Sequence, residues 1–268
     1  NLGNIWIGTF NGLNRYNKIT GLFQNHTASD TQADGLTHSS IWCIVKDNQG
    51  TLWLGTYFGG VNYFNPEYEI YTRYSYSSNE KKGLSNPVVG RTIEDKDGNL
   101  WIGTEGGGLN YYNRRTREFK WYRPQEGRNS ISHNNVKALY YDADKEIIWI
   151  GTHLGGLNKL DIRSGHFTHY RMEEGNPATL PSDIIRDIIP YKSLLIVATQ
   201  NGVCLFNPAN GQCQQLFKDS KEGKSIKMIA DVTFDSEGTL WIAATGEGVF
   251  SYRFDTRKLT NYRHDATN

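Results

Sequence analysis

An all-β fold of repeated four-stranded sheets is what this sequence predicts, on three observations. First, a tetrapeptide recurs as Trp6-Ile7-Gly8-Thr9, Trp53-Leu54-Gly55-Thr56, Trp101-Ile102-Gly103-Thr104 and Trp149-Ile150-Gly151-Thr152, with degenerate copies at Ile196-Val197-Ala198-Thr199 and Trp241-Ile242-Ala243-Ala244-Thr245. Second, the spacings from first residue to first residue are 47, 48, 48, 47 and 45, a period shared by propeller blades and some helical arrays. Third, short β-branched and aromatic runs alternate with turns rich in Gly, Asn and Asp, and no window sustains a 3.6-residue apolar period, so the helical arrays drop out. The predicted architecture is a β-propeller of four-stranded antiparallel blades, five full blades plus a partial first blade.

The third copy shows each element in order. Val88 to Glu94 is a β-branched run and reads as strand a, closed by the turn Asp95-Lys96-Asp97-Gly98. Asn99 to Thr104 is strand b, turned by Glu105-Gly106-Gly107-Gly108 into strand c, Leu109 to Asn113. Arg114-Arg115-Thr116 turns again, and Glu118 to Tyr122 is strand d. Each strand is short and each hairpin carries residues that tolerate tight turns. A single such sheet has apolar residues on both faces and cannot bury them alone, whereas stacked blades cover both.

Composition narrows the function classes. The 268 residues hold 29 Lys and Arg against 28 Asp and Glu, a formal net charge of +1. That balance gives no electrostatic case for nucleic acid or an anionic membrane as a partner. No stretch approaches the roughly 20 consecutive apolar residues of a membrane helix, and the chain opens inside a repeat with no signal peptide in view. Cys43, Cys204 and Cys213 form neither a disulfide framework nor a metal spacing. Cys204 and Cys213 flank the turn Asn207-Pro208-Ala209-Asn210, leaving a cross-strand disulfide or two unlinked thiols as alternatives.

The blade signature, written D-x-x-G-x-[LI]-W-[LI]-G-T-x-x-G-G-[LV], is fitted throughout by residues Asp47 to Val61. A Leu-x-[ST/H/N] segment leads into strand a at Leu36, Leu84, Ile131 and Leu180. These motifs resemble the two-component regulator propeller repeat, and the resemblance spans nearly the whole chain. The last two copies depart, with Ile196 for Trp and Ala198 for Gly. The resemblance implies the periplasmic sensor region of a Bacteroides-like hybrid histidine kinase, recognising a carbohydrate fragment and signalling to a kinase elsewhere in the parent chain.

Strand b occurs six times and strand a five times, so the expected blades are approximately 1–26 (partial), 39–76, 86–123, 134–171, 183–218 and 227–264. This count implies a fragment of a larger ring, seven blades being usual in the family it resembles.

The copies differ where the d–a loops and b–c turns meet, on one face of the predicted blades. Loops freed from the packing rules of a rigid scaffold are the usual place for binding. The b–c tips hold Tyr57, Phe58, Glu105 and His153; the approach to a strand a holds His133; and strand a carries Trp42, Arg91, Lys137, Arg186 and Asp187 where its phase points to the channel mouth. These ten are the candidate ligand residues, because aromatic rings stack on sugar faces and charged groups bond to hydroxyls.

No catalytic residue, metal or cofactor is expected. The seven histidines are scattered, His38, His133 and His153 falling on the variable face in different blades and His166 and His169 on an outer strand. The turn Asp47 to Trp53 is one position out of phase with a sialidase Asp-box. The expected partner is an oligosaccharide or other small ligand, with a homodimer or an adjacent propeller of the parent chain as a further partner. The alternatives are a protein-interaction scaffold and a propeller lyase or glycoside hydrolase.

Overall fold

The structure is a computed structural model and describes residues 4–28, 35–65, 70–217 and 223–263. His264 and parts of the loops 25–40 and 217–226 lie outside these residues. The chain forms two compact units, residues 1–136 and 137–268. The described residues contain 23 strands, two 3-10 turns and no α-helix.

The first unit holds three antiparallel meanders. The first is three-stranded: β1 (Asn4–Thr9), β2 (Gly12–Asn17) and β3 (Phe23–His26). The second has β4 (Ile41–Lys46), β5 (Leu52–Thr56), β6 (Val61–Asn65) and β7 (Ile70–Tyr74). The third has β8 (Val89–Glu94), β9 (Leu100–Thr104), β10 (Gly108–Asn113) and β11 (Glu118–Tyr122). The second unit repeats the pattern with four strands in every sheet. Its sheets are β12 (Val136–Asp142), β13 (Ile147–Thr152), β14 (Leu157–Asp161) and β15 (Phe167–Tyr170); β16 (Ile185–Tyr191), β17 (Leu194–Thr199), β18 (Gly202–Phe206) and β19 (Cys213–Gln215); and β20 (Ile229–Phe234), β21 (Leu240–Ala244), β22 (Gly248–Arg253) and β23 (Lys258–Tyr262).

Each recurring residue has a physical reason. The Asp of the signature caps the a–b turn and holds the indole. Asp47 Oδ1 accepts the backbone N–H of Gln49 and Thr51, and Oδ2 accepts Trp53 Nε1 at 2.9 Å. Asp95 with Trp101 and Asp235 with Trp241 repeat the bond at 3.1 and 2.8 Å. At Asp235 the Trp241 indole and the Thr239 N–H hold the carboxyl below its ordinary value, because both donate to the ionised form. The Thr that ends strand b closes the b–c turn: Thr56, Thr104, Thr152 and Thr199 each donate to a glycine carbonyl at 2.9 Å.

Glycine is required at two kinds of place. Gly60 has φ +75 and its Cβ would fall on the Tyr74 carbonyl, so the position excludes a side chain on both conformation and space. Gly55 has ordinary backbone, but a Cβ would come within 2.7 Å of Val89 Cγ1 on the neighbouring sheet. That glycine is where two blades touch.

The Leu-x-[ST] segment is tied down by a buried Asn of strand c. Asn62 Oδ1 accepts Thr37 N–H at 3.0 Å and its amide donates to Thr37 Oγ1 at 2.8 Å. Asn110 makes the same two bonds to Ser85, both at 2.8 Å. The leucines beside them, Leu36 and Leu84, are buried. Trp53, Val89, Ile102 and Phe119 share one core cluster, as do Trp149, Ile185, Val197 and Phe206 in the second unit. Cys204 and Cys213 lie on adjacent strands as free, buried thiols with Sγ atoms 3.2 Å apart.

Candidate ligand-binding face

The b–c turns and the approaches to strand a lie together in both units. Tyr57 N–H donates to Ser40 O and Glu105 N–H to Val88 O; in the second unit Gln200 N–H donates to Ile184 O. The variable segments of the sequence therefore form one surface within each unit.

A β-bulge shapes that surface. The register between β4 and β5 shifts between Ile41 and Cys43, which leaves Trp42 outside the ladder. The same shift occurs between Val89 and Arg91, Ile185 and Asp187, and Ile229 and Asp231. A bulge re-aims the extra residue, and here the extra residues are Trp42, Gly90, Arg186 and Ala230. These are the positions at which the copies disagree.

In the first unit the bulge presents Trp42, 45% exposed, to the tip of its own blade and the tip of the blade before. Its indole stacks on Tyr57, with centroids 5.3 Å apart and planes at 15°. Phe10 meets Trp42 edge-on at 6.3 Å, Phe58 meets Tyr57 at 4.3 Å, and His38 lies 6.0 Å from Phe58. Phe58 is 57% and Phe10 76% exposed. The result is a contiguous aromatic platform with rings at several inclinations. Sequence reasoning placed Trp42, Tyr57 and Phe58 there. Phe10, which is not among the sequence candidates, occupies the same b–c position as Tyr57.

The remaining candidates divide. Asp187 does not face a channel mouth: it is 5% exposed, its Oδ1 accepts the N–H of Ile188, and its Oδ2 lies 3.4 Å from Val232 N on the neighbouring sheet. The bulge sets the phase of strand a back by one residue, which turns Asp187, the residue after the extra one, toward the neighbouring sheet. Cys43, its counterpart, reaches Thr92 Oγ1 at 3.8 Å, and burial pushes its thiol up despite the nearby Arg91. His133 spends its Nδ1 on the N–H of Asn135 at 3.1 Å. His38, Asn86 and Ser182 make the same i to i+2 bond, so this histidine caps a turn. Glu105 is bridged to Asn135 through the backbone at its b–c tip. Lys137, His153 and Arg186 are half-buried and belong to the second unit, with Arg186 on a bulge and His153 beside the exposed Leu154. Among the described residues no three His, Cys, Asp or Glu side chains gather to hold a metal ion.

Three stretches match the model of the two component regulator propeller: residues 35–58, 83–106 and 130–153. These three stretches are two component regulator propeller repeats. Each matched repeat runs from the Leu-x-[ST/H/N] approach through strand a to the b–c tip, so the matches include Trp42, Tyr57 and Phe58 of the platform, but not Phe10, and the candidates from Trp42 to His153. The two C-terminal copies, which depart from the signature, lie outside the matches. No curated protein matches the sequence.

Solved structures share the fold. The extracellular domain of a putative hybrid two component system from B. thetaiotaomicron superposes with a TM-score of 0.81 at 19% identity, over 98% of this chain and 34% of that one. A second such domain from the same organism gives 0.62 at 23% identity, over 98% and 42%. PorZ, a surface component of the type-IX secretion system of Porphyromonas gingivalis, gives 0.69 at 17%, over 97% and 45%. The regulator propeller repeats thus form a β-propeller fold, and the chain spans between a third and a half of the length of these structures. No helix among the described residues is long and apolar enough to cross a membrane.

Proposed function

We propose that these repeats are the extracytoplasmic, periplasmic ligand-sensing part of a two-component signalling protein, binding a carbohydrate fragment and passing the signal to a kinase elsewhere in the parent polypeptide. The segment itself is non-catalytic in this reading. The observation that carries it is the aromatic platform of Phe10, Trp42, Tyr57 and Phe58, built on the variable face by a bulge. Exposed rings set at different angles suit the apolar faces of successive sugar rings, while buried architecture keeps them rigid. The regulator propeller match and the extracellular two component neighbours support the sensing role.

The test is calorimetric titration of the protein with a panel of neutral oligosaccharides, alongside Trp42→Ala and Phe58→Ala. One panel member is expected to bind saturably without turnover, and Trp42→Ala to weaken it about tenfold, the scale of one lost aromatic stack. Unchanged affinity in both variants removes the platform from the site. Product formation makes the protein a hydrolase or lyase instead, and silence across the panel favours a protein-docking face.

A further inference from the structure

A groove of about 470 Å³ opens in the first unit between the second and third sheets, at the a–b and c–d turns and so at the other end of the strands from the platform. Trp53, Tyr63, Tyr74, Tyr112, Arg114 and Arg117 line it. Its floor is aromatic: Trp53 and Tyr112 are buried, Trp53 stacks on Tyr74 at 5.7 Å and meets Tyr63 edge-on at 4.9 Å.

Most polar groups on this lining donate, while the Gln49 amide and the tyrosine oxygens can also accept. Arg114 Nη2 is bound to Asp47 at 3.0 Å and lies 3.4 Å from Glu94, and its guanidinium sits 5.1 Å over the Trp53 ring. These contacts fix the side chain, yet its buried Nε–H has no acceptor among the described residues. Tyr74 and Tyr112 share one hydrogen bond between their hydroxyls at 2.9 Å. Such a pair spends one hydrogen and keeps a second to donate, and no acceptor among the described residues takes it. Arg117, on the exposed c–d turn, forms no ion pair among the described residues, and no Asp or Glu lines the groove.

We infer that this groove is a second ligand site, which binds a small ring carrying a carboxylate: the ring lies against the Trp53 and tyrosine floor, and the carboxylate takes the free donors of Arg117, Arg114 and the tyrosine pair. An acceptor-only group is what two guanidinium groups and a tyrosine pair in an aromatic cleft fit, and a charged acceptor forms the stronger bonds. An aromatic acid and a sugar acid share this chemistry.

The experiment titrates the protein with benzoate and with glucuronate, and with benzyl alcohol and glucose as neutral counterparts, read by calorimetry and by Trp fluorescence. At least one carboxylate is expected to bind saturably and at least about tenfold tighter than its neutral counterpart, and which one binds names the source. Arg117→Gln, an exposed change, is expected to lose at least about that factor, Tyr112→Phe to weaken binding less, and Trp42→Ala to leave it unchanged. Neutral rings binding as well as acids, affinity unmoved by Arg117→Gln, loss with Trp42→Ala, or no binding of either carboxylate would each overturn the assignment. Because the platform test uses neutral sugars and different residues, the two sites fail independently.

Discussion

Asp47 has no exposed side-chain surface and serves four donors: two backbone N–H groups, the Trp53 indole and Arg114. Burying a carboxylate is unfavourable unless such partners satisfy it, and removing it leaves the partners stranded. Asp47→Ala is therefore expected to destabilise the protein by about 3 kcal/mol, the range for breaking a buried charge pair. Arg114→Met keeps the packing against Trp53 and leaves Asp47 three N–H donors, so its loss is expected to be about half as large or less. Urea unfolding of both variants decides this, and equal losses would place the stabilisation in the ion pair alone. The same residue shows what a sequence can and cannot reveal. Its recurrence six residues before Trp53, Trp101 and Trp241 is plain in the repeat, but Arg114 approaches from another sheet and nothing in the local pattern names it.

Blades meet through the glycine of strand b. A Cβ on Gly55 would lie 2.5 Å from Cys43 Sγ and 2.7 Å from Val89 Cγ1, both part of the packed boundary between the second and third sheets. Gly55→Ala is expected to cost about 1–3 kcal/mol, the usual penalty of overpacking, measured by thermal or urea unfolding. Ala198 holds the matching position in the fifth sheet and is fully buried there, so that boundary is built one methyl wider, and Ala198→Gly is expected to destabilise as well. Strand order, turn positions and the buried tryptophans were legible because each follows from local periodicity and turn chemistry. The bulge was not. It is a register between two strands, and a one-residue shift exchanges inward and outward positions without altering composition. That is why Trp42 is exposed beside the b–c tips while Asp187, expected at the channel mouth, is buried. The disagreement among copies at Trp42, Gly90, Arg186 and Ala230 was the available signal, since a position outside the ladder escapes the blade's packing rules. His133 misled for a different reason: its ring nitrogen does the work of the Asn86 and Ser182 oxygens, which residue type alone conceals.

At the scale of the molecule, the sheets differ in how their first edge is covered. Among the described residues, a strand a stands beside strand b in five of them, and in the first β1 is the edge. Its Ile5 and Ile7 are 41% and 38% exposed, while the four-stranded sheets hold their strand b tryptophans Trp53, Trp101 and Trp149 at 2% or less. An uncovered edge with apolar side chains presents unpaired N–H and C=O groups to any other strand, and it opens more readily than a strand paired on both sides. Two outcomes follow from one cause. In hydrogen exchange the amides of β1 should lose protection well before those of β5 and β9, and at rising concentration the protein should self-associate through this edge. Ile7→Lys puts a charge where a second strand would dock, so it should lower the association without slowing exchange in β1. Equal protection of β1 and β9 in a protein that stays monomeric would show the edge to be closed by packing against β4, where Gly8 lies against Ile41. A charged variant that still associates would move the contact to another surface, with Ile19, Leu22 and Phe23 on the same blade as the next exposed apolar group to change.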